Sequence, residues 1–183
     1  MSWQPNNFYF SRLRKDELKD LVSFVVLEIY EHFNYKDYTQ KSFEDELEYL
    51  LNEDLAFFDN SVYYVLRSYI DHKIYGSIKT TYWDREVTIP MQKLFNINVH
   101  NVLHPDYPNV WHLGRFVISG NICEERIGIL KKMLFNAFYP VSTMGTGLVL
   151  AECDKKLTMT LKKMGINSFV LGDSIEYICS ETL

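Results

Sequence analysis

Three side chains stand out against apolar surroundings: His112 and Arg115 within the run 111–118, and Glu152 directly after the run 147–151. An imidazole titrates near ~6.5 and can take a proton near neutrality. A carboxylate at a strand end can bind or deprotonate an amine, and a guanidinium can hold an anion. A buried polar group without a partner costs ~1–3 kcal/mol, so each of the three has a partner, either a substrate or protein. Regular strand alternation puts His112, Gly114, Phe116 and Ile118 on one face and Leu113, Arg115 and Val117 on the other. His112 and Arg115 therefore share a cleft only if the strand is bulged. The alternatives are a structural histidine hydrogen-bonded at a strand start, and an ion pair of Arg115 with Glu152.

His100 and His104, with Asp106 and His112 nearby, have the spacing of a zinc site on a helix, but Asn101, Pro105 and Pro108 oppose that helix, so no metal is expected. Cys123 and Cys153 have no flanking base, and three cysteines form no spaced framework, so a reducing cytoplasm is the expected home. The opening MSWQPNNFYF does not read as a secretion signal, and no apolar run approaches the ~18 residues that cross a bilayer. The net charge of -5 argues against nucleic acid as a partner, yet residues 115–165 carry 8 Lys/Arg against 4 Asp/Glu. Within that segment Ser119-Gly120-Asn121 breaks the strand, and Ile122, Ile127, Leu130 and Leu134 follow at helical spacing. A helix start there offers free N–H groups and a positive dipole end to an anion, reinforced by Arg126, Lys131 and Lys132. The plainer alternative is an ordinary strand-helix crossover with solvated lysines.

At 183 residues, 47% apolar, the chain suits a single domain, 1–183. A tail reaches about Ser11. Leu18, Leu21, Val22, Val25, Val26 and Ile29 make one apolar stripe of a helix over 15–30, and a second helix runs to about Leu55 with its capping signal at Ser42. Two β-branched and aromatic runs around Asp71-His72 read as a hairpin, with Gly76 marking a bulge or a close backbone approach. Residues 85–108 read as irregular, with a short helix at 91–95. The strand at 111–118 leads to a helix ending near Tyr139-Pro140, a short strand at 147–151, a helix capped by Asp154 and closed by Gly165, and a hairpin of 168–171 with 176–180. The order describes a mixed α/β (α+β) sheet with helices on its faces. Aromatic residues make up 15% of the chain, and Tyr63, Tyr64, Tyr69, Tyr75, Tyr82, Trp83 and Trp111 concentrate near the sheet, as packing or as an apolar tunnel for an acyl chain.

This arrangement resembles the GNAT superfamily of acyl-CoA-dependent N-acyltransferases over nearly the whole chain. Asp71-His72-Lys73-Ile74-Tyr75-Gly76-Ser77-Ile78 is similar to that family's hairpin. Ile89-Pro90-Met91-Gln92-Lys93-Leu94-Phe95 followed by Trp111-His112-Leu113-Gly114-Arg115-Phe116-Val117 resembles the branch of acyl-homoserine-lactone synthases and N-acyl amino acid synthases, whose stretch reads Trp-Glu-x-Ser-Arg-Phe. His112 stands where Glu is usual and Gly114 where Ser is usual. The phosphate loop of the superfamily, laid on Cys123 to Gly128, keeps only Gly128, and Leu161 replaces the Tyr that often protonates the leaving thiolate. The resemblance implies a GNAT-like sheet with splayed central parallel strands, helices on both faces, and transfer of an acyl group from acyl-CoA or an acyl carrier protein to a small-molecule amine. It implies His112 and Glu152 as proton acceptors, Trp111, Arg115 and Phe116 at the substrate, and the donor along Val117, Ile118, Arg126, Gly128 and Lys131. Acetyl-CoA-dependent transfer and non-catalytic acyl-CoA or partner binding are the alternatives.

Overall fold

A computed structural model describes residues 7–32, 39–103, 107–122, 126–145, 147–173, 175–177 and 180–182. Five strands form one sheet in the order β1 (Phe8–Arg12), β2 (Ser61–Ser68), β3 (Ile74–Trp83), β4 (Asn109–Ile118) and β5 (Gly147–Ala151). The first four pair antiparallel, and β5 lies parallel to β4. Helices α1 (Leu18–His32) and α2 (Gln40–Phe57) cover one face. The short helices α3 (Pro90–Leu94) and α4 (Val99–Val102) interrupt the otherwise irregular segment between β3 and β4. Helix α5 (Arg126–Thr143) covers the other face, where α6 (Lys155–Lys163) adds Leu161.

Strand alternation divides the core. Tyr63 and Val65 point to Leu18, Leu21 and Val25 of α1, while Leu66 and Ile78 point to Ile129 and Met133 of α5. The stripe expected of α1 is buried as read, with Leu18, Leu21, Val22, Val25 and Val26 all inside. Gly76 combines both of its readings. Register slips beside it, between Leu66 and Arg67, and a Cβ at Gly76 would stand 3.3 Å from Leu66 Cβ and from the Val117 carbonyl.

β4 pairs with β5 from Asn109↔Gly147 to Leu113↔Ala151, after which β4 continues alone on that side to Ile118. β5 itself ends there; the two central strands are parallel and adjacent as expected, and the expected splay would lie beyond this last pair. A second irregularity lies on the other side of β4. Ser77 pairs with Val117 and Lys79 with Gly114, so Ile78 faces two residues, Arg115 and Phe116, and Arg115 takes φ 50. The bulge turns Arg115 to the α2 face, the face of His112, while Phe116 packs toward α5.

Four expectations need correction. The supposed tail contains β1, whose Phe8 and Phe10 join the α5-side core. Thr39, not Ser42, caps α2, with the Ser42 hydroxyl completing the reciprocal pair of bonds. Helix α5 continues past Pro140 to Thr143, because the hydroxyls of Ser142 and Thr143 donate to the carbonyls of Tyr139 and Pro140 and so satisfy the last turn. Residues 168–171 form no strand; the closing hairpin is β6 (Ile175–Tyr177) with β7 (Ser180–Thr182). Among the described residues no helix is long and apolar enough to cross a membrane.

Candidate active site

The strand β4 presents His112 to the α2 side, and the end of β5 brings Glu152 beside it. The imidazole Nε2 lies 3.1 and 2.9 Å from the two Glu152 oxygens, with His112 only 5% exposed. Burial alone would push the Glu152 carboxyl up, but the charge and hydrogen bond of His112 hold it below its ordinary value. The expected Arg115–Glu152 ion pair is absent. The bulge carries the guanidinium to α2 instead, where Nε donates to Asp54 at 2.9 Å and Nη2 to Glu53 at 2.6 Å.

Asp54 ties this side of the sheet together. It is 0% exposed and accepts from Lys79 Nζ at 2.8 Å, from Arg115 and from the Tyr63 hydroxyl at 3.1 Å. Burial raises its carboxyl, yet Lys79 and Arg115 outweigh that and keep it below the usual range. Burial and the neighbouring Arg115 pull Lys79 down against the opposing pull of Asp54. The phenol of Tyr63, buried beside that carboxylate, is pushed well above its ordinary value. Gly114 keeps the two clusters close: a Cβ there would meet His112 Cε1 at 3.5 Å and Lys79 Cε at 3.7 Å. Glu53, Asp54 and Lys79 were not singled out by the sequence, and Tyr63 was read there only as one aromatic among several.

On the opposite face of β4 lies a cavity of about 460 Å3, bordered by Leu113, Phe116, Leu134, Val149 and Leu161 and passing the free edge of β5. None of the seven Tyr and Trp residues expected near an acyl tunnel lines it. Several are engaged elsewhere: Trp111 and Trp83 are buried, Trp111 against Tyr82, and the Trp83 indole donates to the Val87 carbonyl at 2.6 Å. The pairing of β4 with β5 ends at Leu113 and Ala151; Leu113 borders the cavity, while His112, one residue before it, faces the polar cluster on the other side of the sheet. Cys153 borders the chamber, but burial and then the carboxylates of Glu152 and Asp154 push its thiol up to about 12, which leaves it no thiolate to attack with.

The donor-side residues are placed differently. The side chains of Val117 and Ile118 are half-buried and pack against the two halves of the core. Arg126 is exposed and lies along the turn: its guanidinium donates to the carbonyls of Ser119 at 3.0 Å and Ile118 at 3.1 Å. Gly128 lies in the first turn of α5, and Lys131 is exposed about one turn on. Cys123, His104 and Asp106 fall outside the described residues; the ring of His100 packs on Trp83 at 5.1 Å. Among the described residues no group of three or more metal-ligating side chains comes together.

No family model matches the sequence, and none of the curated proteins does. Solved structures do match it in shape. FeeM, an N-acyl amino acid synthase from uncultured soil microbes, superposes with a TM-score of 0.64 at 11% identity, over 95% of this chain and 85% of that one. A predicted acetyltransferase of Clostridium acetobutylicum with acetyl-CoA gives 0.56 at 12%, covering 88% and 91%. A GNAT-family acetyltransferase of Staphylococcus aureus gives 0.55 at 12%, covering 92% and 85%. The chain has a GNAT-like fold: a mixed sheet with β4 and β5 parallel and helices on both faces.

Proposed function

We propose that this chain is an N-acyltransferase that moves an acyl group from a thioester donor, acyl-CoA or an acyl carrier protein, to a small-molecule amine. The observation that carries the reading is the end of the β4–β5 pairing at Leu113, with an apolar chamber of about 460 Å3 on one side of β4 and the His112–Glu152 pair on the other. The acyl chain occupies the chamber with its carbonyl at the splay, and the amine approaches from the His112 side. Glu152 holds the proton on Nε2, so Nδ1 takes the proton from the attacking amine. The nitrogen bonds to the carbonyl carbon, a tetrahedral oxyanion forms, and its collapse expels the thiolate. A thiol pKa near ~8.5 lets the thiolate leave without a dedicated acid, consistent with Leu161 in place of a tyrosine. A chamber this large exceeds what the single methyl of an acetyl group fills, which favours longer chains over the acetyl-CoA alternative. An amino-acid acceptor follows the likeness to FeeM.

Arg115 belongs to this reading as a positioning residue, since its Nε and Nη2 donate to Asp54 and Glu53. The same mutual satisfaction favours one second reading, a non-catalytic domain that binds acyl thioesters. Thiol release from octanoyl-CoA with a panel of amino acids separates the two. The wild type is expected to turn over, and His112→Ala and Glu152→Gln to lose ~10²–10⁴ in rate with little change in melting temperature. Binding of octanoyl-CoA without turnover by the wild type overturns the enzyme reading in favour of the binding domain.

A further inference from the structure

At the end of β4 the chain makes a small anion site and fills it with its own carboxylate. The Ser119 hydroxyl and the Gly120 N–H converge on Glu28 of α1, at 2.5 Å to Oε1 and 2.9 Å to Oε2. Ser119 is 1% exposed, whereas Gly120 is open to solvent. Arg126, at the start of α5, is exposed, and its guanidinium is bonded to the carbonyls of Ile118 and Ser119. These two donors of the β4–α5 turn are therefore already satisfied by a negative charge, and the guanidinium is committed to the backbone. A diphosphate arriving there meets a carboxylate in place of free donors, and like charges at contact distance repel.

We propose that Glu28 is a specificity-determining residue, an internal anion that occupies donors of the β4–α5 turn and so selects against thioesters anchored there by a diphosphate. The inference rests on the acyl-thioester reading above and deepens it. Under it, the donor is recognised through its acyl chain and pantetheine arm, which the splay and the apolar chamber serve, and the nucleotide of coenzyme A adds nothing to affinity. A structural role for Glu28 predicts something else: loss of the carboxylate weakens every ligand alike through a loosened turn.

Calorimetry on the full chain distinguishes these. The probes are octanoyl-CoA, S-octanoyl-pantetheine, which lacks phosphate, and inorganic pyrophosphate, each titrated into wild type, Glu28→Gln and Glu28→Ala. The Gln variant keeps an oxygen to accept from Gly120 N–H and so preserves the turn if the Ala variant does not fold. In the wild type the two octanoyl thioesters are expected to bind within a few-fold of each other. In Glu28→Gln, octanoyl-CoA and pyrophosphate are expected to gain at least tenfold while S-octanoyl-pantetheine stays unchanged. A folded Glu28→Gln protein with no gain for octanoyl-CoA or pyrophosphate overturns the role of Glu28. Failure of S-octanoyl-pantetheine to bind any of the three proteins instead overturns the acyl-thioester reading, whatever pyrophosphate does.

Discussion

Replacing Asp54 by Asn removes one negative charge from a place where two cations need it. Asp54 is 0% and Lys79 2% exposed, and their contact at 2.8 Å is direct. Removing one partner of a buried ion pair costs ~3–5 kcal/mol, because the remaining charge is left in a poorly polarisable interior. Arg115 keeps Glu53 at 2.6 Å, so Lys79 bears most of the loss, and the lower end, about 3 kcal/mol, is expected. At roughly 2–4 °C per kcal/mol for a chain of this size, melting falls by roughly 6–12 °C. The pH dependence identifies the cause. The unfolded Lys titrates near ~10.4; stripped of Asp54, the folded Lys79 titrates far lower and buries itself neutral. Between those two values the unfolded state holds more protons, so the stability of the variant rises with pH, by up to ~1.4 kcal/mol per unit. The deficit of about 3 kcal/mol at pH 8 should shrink as pH rises for as long as the wild-type Lys79, itself pulled below its ordinary value, keeps its proton, and Asp54→Asn combined with Lys79→Met should abolish that narrowing. Urea unfolding at each pH measures it. A deficit under ~1 kcal/mol at pH 8, or one that stays constant to pH 10, refutes a charged Lys79–Asp54 pair.

Two further outcomes follow from the chamber and from β5. Acyl-CoA affinity should climb by ~0.8 kcal/mol, about fourfold, for each methylene until the chamber is full, then level off; a flat series in calorimetry would mean the chain lies elsewhere. Gly147→Ala would place a Cβ 2.8 Å from the Asn109 carbonyl, so β5 must move away from β4, costing ~1–3 kcal/mol in denaturant unfolding and weakening octanoyl-CoA binding with it.

Much of the sheet was legible because its strands are long, apolar or β-branched runs bounded by turn residues, as at β2, β3 and β5. The first strand was not, since a short edge strand after Asn6-Asn7 carries little signal beyond its aromatic residues. The misreading of 168–171 has the opposite origin: Ser168-Phe169-Val170-Leu171 has strand chemistry, but a strand needs a partner to pair with, and local residue preference says nothing of whether one is in reach. Asp54 could have been found. It falls on the stripe of Leu47, Leu50 and Leu51, so a charged residue was being sent into the core, where it had to be paired. Lys79 gave a weaker sign, because β3 is buried on both faces from Gly76 to Thr81 and alternation therefore singles out no polar side.

Arg115 could not have been placed from periodicity, and the reason bears on how the site is held. In a regular strand it would project toward α5, among the apolar residues around Leu113, and an unpaired guanidinium there is prohibitive. The bulge instead sends it to α2, at the expense of a left-handed backbone at a non-glycine residue, roughly 1–2 kcal/mol. Engagement by both Asp54 and Glu53, with Ser77 Oγ donating to the Arg115 carbonyl at 2.7 Å, offsets that cost. The bulge begins immediately after Gly114, one residue beyond the last pair of β4 with β5 at Leu113. Strain and ion pairs thus form one arrangement: the carboxylates of α2 fix the guanidinium, and the guanidinium fixes the irregular backbone between His112, which faces the polar cluster, and Phe116, which borders the cavity.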